Sequence, residues 1–74
     1  MKSSNVKMIA RELGRDFEIS NSTNIYDLSM DIHCEVGHLY MYDNDIIKAI
    51  ELNLNRKLTE SEISSYYEAK EDSQ

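Results

Sequence analysis

At 74 residues the chain has room for one small domain (1–74), whose single core is marginal by itself, so support from self-association, in the form of a homodimer, is expected. Fourteen acidic against eight basic residues give a net charge of -6, which disfavours direct contact with nucleic acid or anionic membranes. Cys34, the one cysteine, has no disulfide partner in the chain and fits a reducing compartment; with no signal peptide and no apolar run of bilayer length, a cytoplasmic protein is expected.

The first element reads as a helix. Ser4 can act as its N-cap, and Val6, Ile9, Ala10 and Leu13 fall at i, i+3, i+4 and i+7, with Gly14 as the C-terminal stop. Lys7, Arg11 and Arg15 share the opposite side at four-residue spacing, a basic stripe that could contact nucleic acid or an acidic partner but reads first as a solvated face complementing the helix dipole. Asp16 to Ser20 then alternates as a short strand through Phe17 and Ile19, and Asn21 to Asn24 form a turn.

The stretch from Tyr26 to Val36 alternates apolar and polar residues throughout, the period of a half-buried strand. Its polar face carries Asp27, Asp31 and Glu35, and its apolar face places Cys34 in the core between Ile32 and Val36. Gly37 and His38 suit a two-residue hairpin leading to a third strand, which puts Tyr40 and Tyr42 on the outer face near His33 and Glu35.

Asp43 reads as the N-cap of a second helix with Asp45 in its first turn, Ile46, Ile47, Ile50 and Leu54 as its buried stripe, and Asn55 at its end. Thr59 to Glu62 is a capping box, with Leu58 and Ile63 spaced for a hydrophobic staple. Ile63, Tyr66 and Tyr67 give the third helix an apolar face, and Glu71 to Gln74 are expected to fray. The predicted fold class is therefore α+β: a helix, a three-stranded antiparallel meander and two C-terminal helices. The unpaired edges of such a meander are a second reason to expect a dimer.

Chemistry is sparse. His33 beside Cys34 is the one nucleophile–base pair, but neighbours on a strand point to opposite faces, so no catalytic site is assigned. Asp31, His33 and Glu35 share a face without the further His or Cys ligands that zinc requires, so neither metal nor cofactor is expected. Charge order is more telling. Seven acidic residues and no Lys or Arg lie between Asp16 and Asp45. In the meander, Glu18, Asp27, Asp31 and Glu35 project from one face with Tyr40 and Tyr42 beside it, a rigid negative surface with aromatic anchors suited to a basic protein partner.

In its small size, acidity and richness in Asn, Ser, Ile and Lys, the chain resembles the early proteins with which phages of low-GC Gram-positive bacteria disable host machinery. Within that group it is similar to staphylococcal-phage inhibitors of the bacterial DNA sliding clamp and, more broadly, to DNA-mimic inhibitors. The resemblance implies a non-enzymatic inhibitor in the host cytoplasm that occupies a basic DNA channel, with Asp27, Asp31 and Glu35 standing in for phosphates. The glutamine-led clamp-binding peptide is missing, since the only Gln is Gln74, so the acidic surface would carry the binding. The alternative function is a small regulatory or structural homo-oligomeric module.

Overall fold

The computed structural model describes residues 2–36 and 42–73, and those residues form four helices: α1 (Lys2–Asp16), α2 (Ile25–Val36), α3 (Asp43–Leu54) and α4 (Glu60–Asp72). Among the described residues there is no strand, and this overturns the α+β expectation. The stretch assigned to the central strand is α2, and the short strand from Asp16 to Ser20 is the end of α1 followed by an irregular loop. Gly37, His38 and Tyr40, on which the hairpin and third strand rested, lie outside the described residues. With the meander goes the argument for dimerisation through its edges.

The cause lies in an N-cap and a coincidence of periods. Asn24 accepts the Asp27 amide on its Oδ1 at 2.9 Å, and its carbonyl takes the Leu28 amide at 3.0 Å, which starts a helix where a turn was expected to feed a strand. From there Ile25, Leu28, Ser29 and Ile32 fall at i, i+3, i+4 and i+7, and all four are buried. Leu28 and Ile32, being four apart, satisfy both a two-residue and a helical repeat. On the helix Cys34 turns outward and is exposed, not buried as the strand predicts.

The other helices follow their stripes. Val6, Ile9 and Leu13 of α1 are buried, as are Ile46, Ile47, Ala49, Ile50 and Leu54 of α3. α1 begins at Lys2, so Ser4 lies inside it, and it continues past Gly14 to Asp16. Gly14 is a site of close approach instead of a stop: a Cβ there would sit 2.6 Å from Asn53 Oδ1, while Asn53 Nδ2 donates to the Ala10 carbonyl at 2.9 Å. These contacts bring the C-terminal ends of α1 and α3 together. α3 starts one residue earlier than predicted, with Tyr42 as N-cap and Asp43 as its first residue, and Asn55 ends it in the left-handed conformation at φ 59°.

α1 lies on α3 and α2 on α4. The second pair is antiparallel, because Tyr26 at the start of α2 donates to Asp72 at the end of α4. One core joins both pairs, with Leu13, Ile32, Ile50, Leu58 and Tyr66 among its members and Phe17, Ile19 and Ile63 partly buried against it. The capping box is present as predicted: Thr59 Oγ1 accepts the Glu62 amide at 3.2 Å and Glu62 Oε1 accepts the Thr59 amide at 2.9 Å. Arg56 adds a bidentate pair to the Glu62 carboxylate at 2.9 and 3.0 Å. α4 then runs through Asp72 and is closed by Ser73, so its last turn is helical where fraying was expected. Thr59→Ala removes one of these two reciprocal bonds and is expected to lower unfolding stability by about 0.5 to 2 kcal/mol in denaturant melts. No measurable change would mean that Arg56 and Glu62 hold the helix start without the cap.

Candidate functional site

Two features hold polar side chains in defined geometry. The first is the outer face of α2. Asp27, Asp31 and Glu35 are all exposed, and four-residue steps on a helix advance about 6 Å along the axis and only about 40° around it, so the three carboxylates form one row. Their common face survives the change from strand to helix. At its N-terminal end the row meets α4: the Tyr26 hydroxyl donates to Asp72. That bond, with the Glu68 and Asp27 carboxylates nearby, pushes the Tyr26 phenol up to about 12.

The remaining residues assigned to this face are not on α2. Glu18 is exposed on the loop after α1, where it shares a surface depression with Gly14, Arg15 and Asn53. Tyr42 is 74% exposed immediately before α3. Tyr40 lies outside the described residues.

The second feature is a polar cluster where α2, α3 and α4 meet, and it has no counterpart in the sequence-based reading. Asp43 accepts the Tyr66 hydroxyl on Oδ1 at 2.8 Å and the Lys70 ammonium on Oδ2 at 2.6 Å. The Tyr66 ring is fully buried, stands 4.9 Å from the His33 ring and meets Tyr67 edge-on at 5.1 Å. His33 Nε2 and the Oγ of the fully buried Ser29, one turn apart on α2, have no hydrogen-bond partner among the described residues. The strand reading put Ser29 and His33 outside with the carboxylates; the helix turns both inward. The one local hint is the Tyr66 and Lys70 spacing of four on α4, which names no acceptor.

This cluster fixes the acid response. Burial pushes His33 below its ordinary value, with the Lys70 ammonium acting the same way and the Asp43 carboxylate opposing. Burial works against ionisation of Asp43, but its bonds from Lys70 and Tyr66 outweigh that and hold the carboxyl below the usual carboxylate range. Glu62 is held down to about 2, chiefly by the Arg56 guanidinium and then by the Thr59 amide. The signs follow from proton uptake. An unfolded chain protonates His33 near about pH 6.5 while the folded one resists, so this contribution is present above that pH and is lost as pH falls below it. The Asp43 and Glu62 contributions are present above the ordinary carboxylate pKa of about 4.3 and are lost as pH falls toward their folded values. Thermal melts from about pH 8 to pH 3 are therefore expected to show two successive losses of Tm. His33→Phe should abolish the upper one, and a Tm unchanged on crossing about pH 6.5 would contradict the burial of that imidazole.

The groups singled out for chemistry do not combine. Cys34 is exposed and His33 faces Tyr66, and Asp31 and Glu35 stay on the outer row that His33 leaves. α1 carries the opposite sign. Lys7, Arg11 and Arg15 are exposed along it, and the only ion pair that they make among the described residues is Arg15 with Asp16 at 3.5 Å. An open cleft of about 540 Å³ between α1 and α3 includes Val6, Lys7, Lys48 and Leu52 in its walls. No helix among the described residues is long and apolar enough to cross a membrane. No family model, curated protein or solved structure matches the chain.

Proposed function

We propose that the chain is a non-enzymatic protein-binding inhibitor whose acidic α2–α4 surface takes the place of DNA on a basic DNA-handling protein, the sliding clamp being the first target to test. The observation that carries this reading is uncompensated charge. α2 and α4 together hold eight carboxylates, Asp27, Asp31, Glu35, Glu60, Glu62, Glu68, Glu71 and Asp72, against one lysine, and that lysine, Lys70, is tied to Asp43. Glu62 is neutralised by Arg56, and the others have no basic partner among the described residues. Helices of 12 and 13 residues span about 20 Å, so the pair carries roughly one net charge per 3 Å of length. One strand of a DNA duplex carries one per about 3.4 Å. The similar linear density supports mimicry of a phosphate backbone, and Tyr67, 41% exposed beside Glu68 and Glu71, supplies an aromatic contact at the same surface.

The test compares wild type with the Asp27→Asn, Asp31→Asn, Glu35→Gln variant for binding to an isolated sliding clamp at two salt concentrations, with duplex DNA as competitor. Losing Asp27 from the first turn of α2 costs about 0.3 to 1 kcal/mol of favourable dipole interaction, and losing Glu35 from the last turn returns a similar amount, so folding should be preserved. The association rate is expected to fall by about tenfold or more and to become less salt-sensitive, because steering by exposed charges is what salt screens. DNA should compete with wild type. Equal rates, equal salt response and no competition would reject mimicry.

A further inference from the structure

We propose that the α1 face formed by Lys7, Arg11, Arg15 and Met8 docks a second copy of this chain, taking the Asp27, Asp31 and Glu35 row of the neighbour's α2. The two rows have the same spacing and opposite sign. Each places three charges at i, i+4 and i+8, all six residues are exposed, and Met8 is 50% exposed beside the cationic row. They do not neutralise each other within one molecule, because α1 lies on α3 and α2 on α4, and no ion pair between the rows occurs among the described residues.

Helix geometry states how they would meet. Side chains four apart form ridges inclined about 26° to the helix axis, and two such ridges run side by side when the axes cross at about -50°. At that angle each cation of α1 lies opposite one carboxylate of the neighbouring α2, and a one-step slip leaves a charge unpaired at each end. The net charge of -6 does not forbid this contact. At about 0.1 M salt the Debye length is about 10 Å, short against the 29 × 26 × 21 Å extents of the molecule, so opposed local rows outweigh distant like charge. The contact joins two different patches: made once per molecule it runs head-to-tail and leaves a free row at each end, and made twice about a two-fold axis it closes a dimer. Exposed ion pairs are individually weak, so the assembly is weak and salt-labile. It also competes with any basic partner for the same α2 row, so self-association would limit how much inhibitor is free to bind.

Sedimentation velocity across micromolar to millimolar protein at about 0.1 M and about 1 M salt tests the proposal. Wild type should gain mass with concentration at low salt only. Two reversals are compared, Lys7→Glu with Arg11→Glu and Asp31→Lys with Glu35→Lys, each confirmed as folded by its thermal melt. Each should remain monomeric alone, and an equimolar mixture should associate, because the unreversed α1 of one meets the unreversed α2 of the other and the two reversed rows also match. Wild type at 8.6 kDa under all conditions would overturn the inference, as would reversed variants that associate like wild type, or a short DNA duplex bound through the α1 row. The α1 reversal keeps the α2 row intact and should still bind a clamp that wild type binds, which separates this test from that of the proposed inhibition.

Discussion

Tyr66→Ala is expected to remove a large part of the stability of the fold and to lower the urea midpoint well below that of wild type. Tyr66 is 0% exposed, packs at a tilt against the His33 ring and edge-on against Tyr67, and carries the hydroxyl that joins α4 to the start of α3. Truncating a buried aromatic residue costs about 3 to 5 kcal/mol through lost transfer energy and the cavity left behind. Asp43 also loses a donor, leaving Lys70 as its remaining partner. A 74-residue domain has roughly 4 to 11 kcal/mol in total, so this single change removes a large part of it. Tyr66→Phe separates the two terms: it keeps the ring and deletes only a hydrogen bond to a charged acceptor, about 1.5 to 3 kcal/mol. Urea melts of both variants measure the split. Equal losses would mean that the hydroxyl, and not the ring, holds α4 in place.

Ile50→Ala is the second large effect. Ile50 is 0% exposed on α3, the helix that supplies more of the core than any other and that touches α1 along its length and α4 through Asp43. It belongs to the core cluster shared by all four helices, which relaxes only partly into a gap, so the expected loss is about 2 to 5 kcal/mol. Ile50→Val, which removes one methyl group, should cost about 0.5 to 1.5 kcal/mol. The native baseline of the urea melt should persist in both, since the fold is destabilised and not rearranged. A loss below about 1 kcal/mol for the alanine variant would place Ile50 outside the core.

Helices α1, α3 and α4 were legible because their signals are local. Val6, Ile9 and Leu13 recur with the helical period, as do Ile46, Ile47, Ile50 and Leu54, and the bonds between Thr59 and Glu62 need nothing beyond three residues of chain. α2 was misread because two periods compete over the same residues. Tyr26, Met30 and Cys34 favour alternation; Ile25, Ser29 and His33 favour the helix; Leu28 and Ile32 fit either. The Asn24 cap tips the choice locally. Tertiary context completes it, since a strand needs long cross-strand partners, whereas a helix closes its own backbone bonds and finds a matching buried surface at Tyr66 and Ala69 of α4.

By itself, then, the sequence determined three of the four helices, the buried stripes of α1 and α3, the burial of Tyr66 in α4 but not the exposure of Tyr67, the capping box, and the co-facial placement of Asp27, Asp31 and Glu35, because a step of four residues returns to one side in a strand and in a helix alike. Tertiary structure alone decided that Cys34 faces out and Ser29 in, and that Lys70 reaches Asp43, 27 residues away in the chain. The physical reason is range. Periodicity and caps report bonds closed within a turn or two, while the pairing of a charge depends on which helices the core brings side by side, and that pairing leaves the α2–α4 surface negative.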